Sequence, residues 1–154
     1  MANIVGKATV TIDRPVTEVW DWVVNPANMH LWVKGVDEPG VWVDDGTPTV
    51  GSRYTVDYEY GRGINEITFE VKAATFGKLF VVDTVKGPYP ILVEYGFEGS
   101  DDGASTELNI VMNARSESVF QFFLFILTGW FAKRFMRRRL ESELQSVKSE
   151  IEKI

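Results

Sequence analysis

The sequence contains no cysteine and a single histidine, His30. Without cysteine the chain has no disulfide, no thiolate nucleophile and no Cys-ligated metal site, and one histidine is too few for most zinc sites. We therefore expect the protein to bind neither a metal nor a cofactor.

The chain also lacks an excess of basic residues and a long apolar run. Its 16 Lys and Arg against 22 Asp and Glu give a net charge of −6. This balance disfavours nucleic acid as a partner, because neutralising phosphates requires a basic face. The longest apolar run, 119–132, is shorter than the ~20 residues of a membrane-spanning helix, and the N-terminus has no signal-peptide pattern. These features predict a soluble, cytoplasmic protein.

An apolar content of 45% and only six prolines indicate a folded chain, and its length is that of one domain. We expect a single domain over 1–154. Alternating apolar residues predict a strand at Ala8–Ile12. Pro15 then favours the start of a short helix that ends near Val24, and Asn25-Pro26 favours the start of a second one.

From Val33 to Arg115, turn signals separate segments of alternating polarity, which predicts about six further antiparallel strands with one apolar face. From Ser118 onward the period becomes helical, and a long C-terminal helix carries one apolar stripe: Leu140, Leu144, Val147 and Ile151. We expect the charged residues on its opposite, solvated side: Glu141, Glu143, Lys148, Glu150, Glu152 and Lys153. The sheet needs a cover and only this helix is long enough, so the predicted fold is α+β, with a curved sheet wrapped around the helix.

This order of elements, together with the residues at the two ends, resembles the START-like (SRPBCC) superfamily and its polyketide cyclase/dehydrase-like branch. The N-terminal part of the resemblance is ATVTIDRPVTEVWDWVVNP over 8–26, followed by Trp32, and the C-terminal part is RLESELQSVKSE over 139–150. The resemblance implies a helix-grip fold with an apolar cavity for a small lipophilic ligand between sheet and helix. The ring-hydroxylating oxygenases of this superfamily need a two-His, one-carboxylate iron site, which one histidine excludes.

The implied cavity has candidate ligand contacts on both the sheet and the helix. From alternation alone the aromatic side chains of the sheet fit a packed core better, whereas the resemblance favours a ligand pocket. The candidates are Trp32, Tyr54, Tyr58, Phe69, Phe80, Tyr95, Phe97, Met112, Phe123, Leu127, Trp130 and Phe131.

Candidates for acid–base chemistry are few. His30 has the chemistry of a general base, although an isolated histidine is more often a capping or surface group. Asp83 is the other candidate, with a tyrosine as its partner inside the cavity.

The segment 119–131 is apolar on nearly every side and is followed by five cations: Lys133, Arg134, Arg137, Arg138 and Arg139. In one interpretation its aromatic side chains line the cavity mouth while the arginines pair with carboxylates of the sheet. In a second, rings and cations together contact an anionic membrane surface. In a third, the rings form a homodimer contact.

Three functional hypotheses follow. The preferred one is a protein that binds or transports a lipid-like or polycyclic molecule in an internal apolar cavity. The first alternative is a cyclase- or dehydratase-type enzyme acting on a polyketide-like substrate, and the second is a peripheral membrane or protein-interaction module that uses 119–139. Binding is preferred to catalysis because the sequence reveals no clear acid–base constellation.

Overall fold

The computed structural model describes the backbone of residues 2–60, 63–87, 90–116 and 119–154, and the side chains of 5–59, 63–87, 90–114 and 134–154. A 3-10 helix, Pro26–Leu31, follows the first α-helix. The other elements, in chain order, are β1 (Ala2–Ile12), α1 (Val16–Val23), β2 (Val41–Trp42), β3 (Arg53–Tyr60), β4 (Gly63–Thr75), β5 (Leu79–Lys86), β6 (Ile91–Gly99), β7 (Thr106–Ser116) and α2 (Val119–Glu152).

The strands form one antiparallel sheet in the order β1-β7-β6-β5-β4-β3-β2. β1 pairs with β7 from Ala2↔Ser116 to Ile12↔Thr106, so the strand starts earlier than the predicted Ala8. β2 contributes only Val41↔Thr55 and Trp42↔Tyr54 to its pairing with β3. The rest of the outer edge of β3 is therefore not covered by a strand among the described residues.

The predicted apolar face of the sheet is confirmed by burial. Alternate residues of β3 to β7 are buried and their neighbours are more exposed, as expected for a sheet covered on one side. The buried set includes Tyr54, Val56, Ile67, Phe69, Val71, Phe80, Val82, Val93, Tyr95, Phe97, Leu108 and Ile110.

Helix α2 covers the inner face of the sheet, and its predicted stripe of Leu140, Leu144, Val147 and Ile151 is fully buried. The helix approaches β1 closely at Gly6. A Cβ atom at this position would lie 2.6 Å from Met136 Cγ and 3.0 Å from Leu140 Cδ1, so the absent side chain makes room for the helix. Gly129 does not interrupt α2, which is continuous from Val119.

Helix α1 closes the end of the sheet at the β4–β5 turn. Pro15 precedes its first residue, as the sequence predicted. The Trp20 ring packs against three others, with centroids 5.6 Å from Phe76 of the turn and 5.8 Å and 5.0 Å from Phe80 and Phe97 of the sheet. Edge-on aromatic packing of this kind fixes α1 against the sheet.

One helix residue departs from the prediction. Glu143 was expected on the solvated side of α2, yet it is only 3% exposed. The reason is its spacing: it lies three residues after Leu140 and four before Val147, and residues at these intervals share a helix face. Within the described part of the chain, no helix is long and apolar enough to cross a membrane.

Candidate functional site

The loop after the 3-10 helix covers part of the edge of β3 that β2 leaves open. The backbone N–H of Glu59 donates a 2.7 Å hydrogen bond to the carbonyl oxygen of Gly35. Gly35 has φ +91°, and a Cβ there would lie 2.9 Å from the Glu59 carbonyl oxygen and 3.3 Å from Tyr58 Cζ. Glycine therefore allows the loop to meet the strand beside Tyr58.

Arg139 joins this loop to α2 and to β3. Its guanidinium donates to Glu143 Oε1 at 2.8 Å, to the Lys34 carbonyl oxygen at 2.6 Å and to the hydroxyl of Tyr58. The guanidinium also lies over the Tyr58 ring, 5.6 Å from its centroid. The planar guanidinium can satisfy several acceptors at once, so one side chain holds three parts of the fold together.

Glu143 is the carboxyl group that this arginine holds in the interior. Burial raises its pKa, and the bond to Arg139 only partly offsets that effect. Burial also raises the pKa of Tyr95, and the charge of Glu143 adds to the increase. The pKa of Tyr54 is raised by burial and by Tyr95. Both tyrosines therefore remain neutral hydroxyls at ordinary pH.

An open pocket of about 480 Å³ lies where α2 meets this loop and the end of β3. Its walls are Lys34, Gly35, Tyr58, Glu59, Phe135, Arg138 and Arg139. Phe135 is 69% exposed, so one wall is an aromatic ring that faces solvent. Tyr58 shares the inner face of the sheet with Tyr54 and Val56, which puts the pocket beside the covered apolar face.

The structure separates the predicted ligand contacts into two groups. Tyr58 lines the pocket, whereas the other predicted contacts on the sheet pack within the interior, together with Trp32. Tyr54 stacks on Phe69 at 5.3 Å, and the Tyr95 ring lies 6.3 Å from that of Trp32. Phe80 and Phe97 contact Trp20, Trp32 is buried, and Met112 is half-buried. Phe123, Leu127, Trp130 and Phe131 belong to the part of α2 whose side chains lie outside the described residues.

The two catalytic candidates are not brought together at the pocket. Asp83 follows the buried Val82 in β5 and pairs with Glu70 of β4, so it faces away from the covered side of the sheet. Its placement near the cavity was wrong, since alternation gives neighbouring residues opposite faces. His30 lies in the last turn of the 3-10 helix, and its Nδ1 is buried without a hydrogen-bond partner among the described residues.

The five predicted surface cations do not behave alike. Arg139 is half-buried, and its guanidinium is held by Glu143, Tyr58 and the Lys34 carbonyl. Arg137 is exposed and pairs with Glu141 at 3.0 Å, and Arg134 and Arg138 are exposed. The Lys133 side chain and the segment 119–131, with its predicted membrane or dimer contact, lie outside the described side chains.

Several pocket residues were not predicted as site residues: Lys34, Gly35, Glu59, Phe135 and, behind the wall, Glu143. Helical spacing could have predicted that three residues of the site lie together, because Phe135, Arg139 and Glu143 are four residues apart and share a helix face. Lys34 and Gly35 lie in a loop without periodicity, and only contact with β3 brings them to the site. In the described part of the chain, no group of three or more His, Cys, Asp or Glu residues is arranged to hold a metal ion.

Comparison with solved structures shows chains of the same fold at low sequence identity. TTHA0849 from Thermus thermophilus superposes with a TM-score of 0.74 at 13% identity, covering 96% of both chains. The Zhui aromatase/cyclase from Streptomyces sp. R1128 has a TM-score of 0.70 at 13% identity, over 99% of this chain and 95% of its own. A START superfamily protein from Mycobacterium smegmatis has a TM-score of 0.69 at 12% identity, over 97% of both chains.

The sequence itself carries a family pattern over nearly its whole length. No curated protein matches the chain, but residues 4–152 match the family described as polyketide cyclase/dehydrase and lipid transport. The sheet order, the early short helices and the covering C-terminal helix agree with that match. The chain therefore belongs to the polyketide cyclase/dehydrase and lipid-transport family and has the START-like, helix-grip fold.

Proposed function

We propose that the protein binds a small lipophilic molecule at the pocket between α2 and the end of β3. The observation that carries the proposal is the pocket itself: about 480 Å³, with the Tyr58 and Phe135 rings in its walls. Ligand sites commonly measure about 300–1,000 Å³ and are lined mainly by apolar groups with a few polar ones. The lysine and arginine walls contribute their aliphatic stems as further apolar surface.

The expected affinity from apolar contact alone is low. A ligand that fills an open pocket of this size buries ~300 Å² of its apolar surface, which is worth about 7 kcal/mol. Association costs at least about 4 kcal/mol, so about 3 kcal/mol remains, which corresponds to millimolar binding. Tighter binding requires either insertion of the ligand beneath α2 or a polar contact at the pocket wall.

The test is a fluorescence anisotropy titration with naphthaleneethanol, a neutral and fluorescent aromatic alcohol. We expect Phe135→Ala to weaken binding by about fivefold, because the ligand would lose contact with an aromatic wall worth ~1 kcal/mol. The matched control is Phe76→Ala, which removes a ring of similar exposure, 60%. Phe76 lies past the far end of β4, about 35 Å along the strand from Asn65, the residue that pairs with Tyr58.

If Phe135→Ala and Phe76→Ala change the affinity equally, the ligand binds outside this pocket. If the parent protein does not bind the probe, the proposal is refuted. Truncating Phe123 or Trp130 in the same titration tests whether the N-terminal half of α2 contributes to the site. A loss of affinity in these variants supports a ligand that extends beneath the helix.

A cyclase- or dehydratase-type activity is the second candidate, and Glu143 is the observation that favours it. Burial and a raised pKa bring this carboxyl group closer to the range of a general acid–base than a surface glutamate. Its test is incubation with a linear poly-β-ketone thioester while aromatic products are followed by absorbance. The candidate requires cyclised product with the parent protein and none with Glu143→Gln, and it fails if buffer alone gives the same products as the parent.

A further inference from the structure

The walls of the pocket are positively charged although the protein as a whole is acidic. Lys34, Arg138 and Arg139 supply three cations and Glu59 a single carboxylate, in a chain of net charge −6. A pocket whose local charge opposes that of the whole protein attracts anions that the rest of the surface repels. The positive charge of the pocket walls therefore favours a negatively charged ligand.

The three cations have different roles. Arg139 is already engaged by Glu143, the Tyr58 hydroxyl and the Lys34 carbonyl. The ammonium group of Lys34 and the guanidinium of Arg138 make no ion pair or hydrogen bond with any described residue, although both side chains line the pocket. Arg137, one position before Arg138, pairs with Glu141 instead. Lys34 also attracts the charge of Glu143 behind the wall, but neither Lys34 nor Arg138 has a direct ionic partner among the described residues, so both can face a ligand.

The same pocket also offers apolar surface beside these cations. The rings of Tyr58 and Phe135 stand in the walls together with Lys34 and Arg138, so a ligand can contact rings and cations at the same time. An inorganic anion would leave the rings without a contact, and a neutral hydrocarbon would leave two cations unpaired. The surface fits a molecule with an apolar body and an anionic end.

We infer that the pocket selects amphipathic anions, with the anionic group on Lys34 and Arg138 and the apolar body against Tyr58 and Phe135. The inference rests on the proposed ligand-binding function and adds the chemical class of the ligand. A carboxylate fits the guanidinium of Arg138 through two parallel hydrogen bonds. Such contacts also supply affinity that the open apolar surface lacks.

The experiment compares naphthaleneacetate with naphthaleneethanol, which share the aromatic body and differ in charge. We expect the carboxylate to bind about tenfold more tightly, since two exposed ion pairs each contribute a few-fold. The double variant Lys34→Gln/Arg138→Gln should remove that difference, because the carboxylate loses both ion pairs whereas the alcohol loses only part of its contact with the side-chain stems. Arg137→Gln, the matched control, should preserve the difference, and raising NaCl from about 50 mM to about 500 mM should reduce it.

The outcomes separate this inference from the function on which it rests. Equal affinity for acid and alcohol, or equal losses for both in the double variant, overturns the inference and leaves ligand binding standing. Failure of both probes to bind overturns both. If phosphatidylglycerol vesicles bind the protein through Lys34 and Arg138 while naphthaleneacetate does not, the anion belongs to a membrane surface and the inference is wrong.

Discussion

Two arginine–glutamate pairs on α2 allow a direct test of the polar cluster behind the pocket. Both have i, i+4 spacing and similar lengths, 2.8 Å for Arg139–Glu143 and 3.0 Å for Arg137–Glu141. The Arg139–Glu143 side chains are 27% and 4% exposed, whereas those of Arg137–Glu141 are 71% and 50% exposed. The perturbation is replacement of each arginine by methionine, which keeps the aliphatic length and removes the charge.

The expected costs differ because only one glutamate is buried. Removing one partner of a buried pair costs about 3–5 kcal/mol, since it leaves a charge in the interior. We expect about 3 kcal/mol for Arg139→Met, the lower end, because Arg139 is partly exposed and Glu143 can take up a proton. For Arg137→Met we expect less than about 1 kcal/mol, as for exposed ion pairs in general.

The assay is urea unfolding at pH 7.5 followed by tryptophan fluorescence and circular dichroism, with the free energy of unfolding compared between parent and variants. Adding Glu143→Gln to Arg139→Met should recover most of the loss, because the unpaired charge is then gone. A cost below about 1 kcal/mol for Arg139→Met, or no recovery in the double variant, would refute the claim that the buried carboxylate depends on Arg139.

Three further predictions concern Glu143, the loop and the covering helix. The pKa of Glu143 is raised above its ordinary 4.5, so its contribution to stability is full below pH 4.5 and is lost as the pH rises through the raised pKa. The free energy of unfolding should therefore fall less between about pH 4.5 and 7.5 in Glu143→Gln than in the parent. Identical pH profiles for the two proteins would contradict this. Gly35→Ala should lower the free energy of unfolding in urea by about 1 kcal/mol more than Gly51→Ala. Both glycines have positive φ, but only at Gly35 would a Cβ atom lie close to other atoms. Equal costs would mean that these close contacts do not destabilise the variant. Leu144→Ala should cost about 3 kcal/mol by the same measurement, because Leu144 lies on the buried face of α2, and a cost below about 1 kcal/mol would mean that the helix does not cover the sheet as described.

Much of the fold was predictable from periodicity. Tyr54, Phe69 and Tyr95 were assigned to the apolar face from alternation, and all three are buried. The buried stripe from Leu140 to Ile151 followed from helical spacing. These assignments succeed because a sheet covered on one side and a helix packed on one side each impose a period on the sequence.

The pocket was much less predictable. Glu143 was assigned to solvent because it is charged, although its spacing put it beside Leu140 and Val147, and its charge is stabilised by Arg139 and by the charge of Lys34. Lys34 and Gly35 reach the pocket through a loop that accepts hydrogen bonds from the Glu59 N–H and from Arg139. Such contacts join residues distant in sequence and leave no local pattern, so a single sequence does not reveal them.

The measurement that tests the central claim most directly is an amide chemical-shift titration by NMR with naphthaleneethanol. If the ligand binds at the pocket, the largest shifts will occur at Lys34–Gly35, Tyr58–Glu59 and Phe135–Arg139, and Phe135→Ala will reduce them while Phe76→Ala will not. Shifts centred on the opposite end of the sheet, around α1 and Phe76, or no saturable shifts at all, would contradict the account.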